Sequence, residues 1–77
     1  MTQTAEVITW LRTFEDGITP GQALDALGIF RLAARISEAK ERLEPGEAIV
    51  SEPYVTPWGK RVARYRLVKR EPGTLGL

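Results

Sequence analysis

The chain has 77 residues, 43% hydrophobic and 27% charged, with 11 basic and 10 acidic side chains and a formal net charge of +1. That length supports one small domain with a modest core, and the composition is that of a folded chain rather than a disordered one. Cys and His do not occur, which excludes disulfides, Cys/His zinc sites, thiol nucleophiles and histidine acid–base catalysis.

The longest apolar runs, such as Ala48-Ile49-Val50, are short. No membrane-spanning helix or secretory h-region is expected, and the cytoplasm of a bacterial or phage-infected cell is the simplest location. Charge is unevenly spread. Residues 1–30 carry Glu6, Glu15, Asp16 and Asp25 against Arg12 alone. Residues 46–77 carry Lys60, Arg61, Arg64, Arg66, Lys69 and Arg70 against Glu47, Glu52 and Glu71. An acidic start and a basic end suggest one face for a polyanion.

Thr4 is placed to cap a first helix over residues 5–14, in which Val7, Ile8, Leu11 and Phe14, with Trp10 beside them, recur at helical spacing. Asp16-Gly17 breaks it. Thr19-Pro20-Gly21-Gln22 reads as a capping box with Pro at the first helical position. The second helix then spans residues 20–27, with Ala23, Leu24 and Leu27 inward, and Gly28 stops it in the left-handed conformation. A third helix is predicted over residues 29–43. Ile29, Leu32, Ile36, Ala39 and Leu43 form its apolar stripe, and Arg31, Arg35, Glu38 and Arg42 form a polar stripe on the same wheel. Pro45-Gly46 ends it. Two helices joined by a tight Gly-containing turn, the second carrying arginines, outline a helix-turn-helix.

From Ala48 the period becomes two. Strands are predicted over residues 48–55 and 61–68. Thr56-Pro57-Trp58-Gly59 between them suits a type I turn with a glycine bulge. Ala63, Tyr65 and Leu67 share one face, and Val62, Arg64 and Arg66 the other. Ile18-Thr19 can add a short third strand. Residues 71–77 hold one Pro and two Gly and read as a flexible tail, which leaves residues 1–70 as the domain.

This order, with "ITPGQALDALGIFRLAARISEAKERL" followed by "TPWGKRVARYRL", resembles the winged helix-turn-helix domains common in bacteriophage and prophage proteins. The resemblance spans residues 7–68. It implies an α+β winged helix-turn-helix fold and binding of double-stranded DNA. Residues 30–43 would be the recognition helix and residues 56–61 the wing tip. Trp58 departs from the small polar residue more usual at that turn.

The candidate DNA contacts are Arg31, Arg35 and Arg42 on the third helix, and Lys60, Arg61 and Arg64 at or near the wing. Arginine reads guanine edges bidentately, and cations neutralise phosphates. Arg31 and Arg35 are like charges four apart, a strain that a phosphate or guanine would relieve. Glu38 offers an alternative, since it stands three from Arg35 and four from Arg42, enough for an ordinary solvated face. Trp58 has three readings. Packing back onto the hairpin ranks first; an apolar wedge in a minor groove and the anchor of a protein interface are the two others. Trp10 is assigned to the core, and Tyr54 and Tyr65 to the sheet. Glu15-Asp16 is turn chemistry, and no P-loop or GxGxxG occurs. No enzyme activity, cofactor, metal or membrane partner is expected.

The expected function is double-stranded DNA binding, as a small phage or mobile-element transcriptional regulator or excisionase-like factor. A homodimer would enlarge the limited area one such module buries on DNA. The alternative is a protein-interaction module on the same scaffold, such as a phage inhibitor of a host complex.

Overall fold

A computed structural model describes residues 2–69, so the expected tail lies outside the described residues. Three helices precede a two-stranded antiparallel hairpin: α1 (Gln3–Thr13), α2 (Pro20–Leu27), α3 (Leu32–Lys40), β1 (Glu47–Val55) and β2 (Arg61–Lys69). This is the α+β arrangement of a winged helix. No helix of the described residues is long and apolar enough to cross a membrane.

The first helix begins two residues earlier than its sequence suggests. Thr2, not Thr4, is the cap, and its hydroxyl accepts from the Ala5 N–H. Thr4 is instead buried, and its hydroxyl donates to Glu38 Oε1 at 2.5 Å. Both threonines suit a helix start. The tertiary partner on α3 decides which one caps.

Thr19 and Gln22 form the expected capping box at the start of α2. Gly28 ends that helix at φ 67°, where its N–H donates to the Leu24 carbonyl and the Ile29 N–H to the Ala23 carbonyl. Only Ala23 of α2 is buried, and Leu24, expected inward, is 44% exposed. A two-turn helix buries a narrow strip, and Leu24 lies 100° around the axis from Ala23.

The third helix is shorter than expected at both ends. Residues 29–31 are consumed by the turn, because Ile29 must reach the core while its N–H satisfies α2. Adjacent residues here face opposite ways: Ile29 is 1% exposed and Phe30 86%. At the other end the Glu41 and Arg42 N–H groups donate to the carbonyls of Glu38 and Ala39, tightening the last turn. Arg31 and Arg42 therefore flank α3 rather than share a helical stripe with Arg35. The apolar stripe is as expected: Ile29, Leu32, Ile36 and Ala39 are buried, and Leu43 packs partly against them.

The core joins that stripe to Val7, Ile8 and Leu11 of α1, to Ile18 and Ala23, and to Ile49 of β1. Burying each Ile, Leu or Val stabilises by about 1.5–3 kcal/mol. Tyr65 and Leu67 of β2 pack against the same cluster, as their shared face requires. Beyond Ile49 toward the turn no hairpin residue is buried, so the distal half of the hairpin stands clear of the core.

Ile18 supplies the expected third strand as a single bridge to Tyr65. The Ile18 N–H donates to the Tyr65 carbonyl at 2.8 Å, and the Tyr65 N–H to the Ile18 carbonyl at 2.9 Å. Gly17 lets the chain approach this closely. It has φ 88°, and a Cβ on it would lie 2.1 Å from the Tyr65 carbonyl oxygen. Gly28 also has positive φ, but open space surrounds it. Gly17→Ala should therefore cost about 2–4 kcal/mol, combining strain with a backbone clash. Gly28→Ala should cost only about 1–2 kcal/mol. Urea unfolding followed by circular dichroism separates the two; equal costs would show that the approach at Tyr65 is unimportant.

Candidate nucleic-acid interface

Three hydrogen bonds close the hairpin turn. The Gly59 N–H donates to the Thr56 carbonyl at 2.9 Å, the Thr56 N–H to the Lys60 carbonyl at 2.8 Å, and the Lys60 N–H to Thr56 Oγ1 at 3.0 Å. Gly59 has φ 82°. These bonds are those of a type I turn closed by a glycine bulge. Pro53 stands opposite Ala63. Hydrogen-bonded pairs alternate down an antiparallel ladder, and Thr56–Lys60 is one. Position 53 thus needs no N–H toward β2, and a Pro there blunts the free edge of β1.

On the strand face opposite to that of Ile49, Val50, Glu52 and Tyr54 stand opposite Arg66, Arg64 and Val62. Arg64 donates through Nε and Nη2 to Glu52 Oε1, at 3.1 and 2.7 Å, and its guanidinium lies 5.1 Å from the Tyr54 ring centre. Arg66 Nε is 3.5 Å from the same oxygen. The hydrogen bond from Arg64 holds the Glu52 carboxyl below its ordinary range, with the Arg66 charge assisting. Arg64 is therefore matched within the fold. Arg35 is matched too: its Nε is buried, makes no hydrogen bond and lies 3.4 Å from Glu38 Oε1. Glu38 in turn accepts from Thr4, so Arg35 joins a tie between α3 and α1.

The remaining four candidates differ. Arg31, Arg42, Lys60 and Arg61 are exposed and form no ion pair among the described residues. Arg31 is the residue before α3. Its side chain does not cap, and no acid occupies the first turn. Lys60 and Arg61 follow the hairpin turn directly. Arg42 lies beyond the other end of α3, about 16 Å along the axis from Arg31. No hydrogen bond or ion pair among the described residues joins the α3 cations to those of the hairpin.

Trp58 does not pack back onto the hairpin. It is 88% exposed at the turn. It borders an open groove of about 480 Å³ between the hairpin and the start of α2, where Lys60 and Arg64 face Asp16 and Asp25. Trp10 is partly buried as expected. Its Nε1–H donates to the Gly17 carbonyl at 2.9 Å and its ring lies 4.7 Å from that of Phe14. Phe14 itself is 49% exposed.

Two features escape the sequence pattern. One is the exposed Phe30 beside Arg31, whose only signal is that neighbouring Ile and Phe in a tight turn cannot both face the core. The other is the pair between Arg12 at the end of α1 and Glu47 at the start of β1, at 3.0 Å. It spans 35 positions, beyond any local pattern. Comparison with protein-family models, curated proteins and solved structures finds no match.

Arg12 lowers the Glu47 carboxyl pKa chiefly by donating a hydrogen bond, and the Glu44 N–H adds to this. A carboxyl whose folded pKa is depressed stabilises the fold above its unfolded pKa. That contribution disappears as pH falls through the folded value. The melting temperature should accordingly drop as pH falls from about 5 to about 3. Glu47→Gln should lower it at neutral pH and flatten the acid limb. A Glu47→Gln profile parallel to that of the parent would show that the pair is inert.

Proposed function

We propose that this chain is a double-stranded DNA-binding protein rather than an enzyme, a small phage or mobile-element regulator or excisionase-like factor. The observation that carries this reading is the placement of the unmatched cations. Arg31 stands at the start of the second helix of the helix-turn-helix, and Lys60 and Arg61 stand at the end of the projecting hairpin. In helix-turn-helix docking the N-terminal residues of the second helix approach base edges. Here that end carries open backbone N–H groups and no competing acid. Arg31 is the base-reading candidate, with Phe30 beside it to meet a thymine methyl. Lys60 and Arg61 serve phosphates, as does Arg42 at the far end.

Arg35 and Arg64 take a lesser part. Each already holds a carboxylate, so a phosphate would compete with Glu38 or Glu52 rather than relieve a free charge. The acidic wall of the groove, Asp16 and Asp25, favours one second reading, a protein partner seated against Trp58.

Fluorescence anisotropy with a mixed-sequence duplex across a salt series tests the first reading. Binding should weaken steeply as salt rises, and the log–log slope gives the number of phosphates engaged. Lys60→Ala with Arg61→Ala should reduce that slope by about 2, and Arg42→Ala by about 1. Arg31→Ala should cost about 1–3 kcal/mol and relax sequence preference. No binding at low salt by a folded sample rejects this function and favours the protein partner.

A further inference from the structure

Trp58 is a large apolar side chain left 88% exposed on a turn that three hydrogen bonds and Pro57 hold rigid. A rigid apolar projection loses little freedom when it inserts. The residues that follow the turn, Lys60 and Arg61, are cations without an ion pair among the described residues, and no acid lies between positions 56 and 61. The tip thus combines an exposed indole with unmatched positive charge, which is complementary to the edge of a base stack lined by phosphates. The groove behind it differs. Asp16 and Asp25 line it together with Trp58 and Lys60; the two carboxylates repel phosphate, so DNA would meet the tip rather than fill the groove.

We propose that Trp58 is an apolar wedge that enters the minor groove of duplex DNA and partly unstacks one base step, so that the protein kinks the DNA it binds. This rests on the DNA-binding reading above and adds a consequence that cation contacts alone do not produce. An inserted indole opens the step from the minor-groove side and bends the duplex toward the major groove. Lys60 and Arg61 then reach the phosphates flanking the opened step.

The test uses the full chain and a mixed-sequence duplex carrying a fluorophore pair at its ends, with 2-aminopurine at successive positions in companion duplexes. Anisotropy at low salt measures binding in the same samples. The parent protein should shorten the end-to-end distance and raise 2-aminopurine emission at one step. Trp58→Ala should still bind, roughly tenfold more weakly, but with neither signal. Trp58→Phe should retain part of both. The exposed position makes loss of folding an unexpected result, and circular dichroism checks it for each variant. Binding by the parent with no bend, or an equal bend by Trp58→Ala, overturns the wedge while leaving DNA binding intact. No duplex binding by the folded parent overturns both.

Discussion

The paired backbone hydrogen bonds between Ile18 and Tyr65 fix where the hairpin stands relative to the helices. A two-stranded ribbon alone is marginally stable in water and needs a layer to lie on. Here one residue supplies the edge contact and also a fully buried side chain. The next residue, Thr19, begins α2 through its capping box. One short segment therefore sets both the start of the helix-turn-helix and the root of the hairpin. Gly17 is the condition for it, since any Cβ there would occupy the space of the Tyr65 carbonyl.

From that root, the side chains of the hairpin and helices divide by what the fold already uses. The proximal hairpin is committed to the core through Ile49, Tyr65 and Leu67. Its outer face is committed to an internal cluster in which Glu52 holds Arg64 and Arg66. At the tip, Lys60, Arg61 and Trp58 are exposed, and neither cation forms an ion pair among the described residues. The helices divide in the same way. Arg35 is tied to Glu38 and through it to Thr4, whereas Arg31 and Arg42 stand free at the two ends of α3 among the described residues. A sequence pattern counts all of these cations alike. The fold sorts them by which already have an anion.

Much of the architecture is legible in the residues because local chemistry decides it. The Thr19–Gln22 box, the Gly28 stop and the bulged turn at Gly59 each depend on a few adjacent positions. Where reading from sequence goes astray, a distant group decides instead. Thr4 fails to cap because Glu38 claims its hydroxyl. The third helix loses its first turn because Ile29 must satisfy α2 and the core together. Trp58 stays exposed at the turn, where no core residue lies within the distal hairpin to cover it. The Arg12–Glu47 pair leaves no local trace. The six candidate cations can be picked out from sequence, but which of them already hold an anion depends on pairings across the fold.

In the reading proposed here, duplex DNA meets the start of α3 and the hairpin tip together. The most direct measurement is an amide chemical-shift titration of isotopically labelled protein with duplex DNA. Shifts should concentrate at residues 30–35 and 56–62 and saturate together with one affinity. Shifts confined to α1 and the acidic wall at Asp16 and Asp25, with both predicted regions silent, would contradict it.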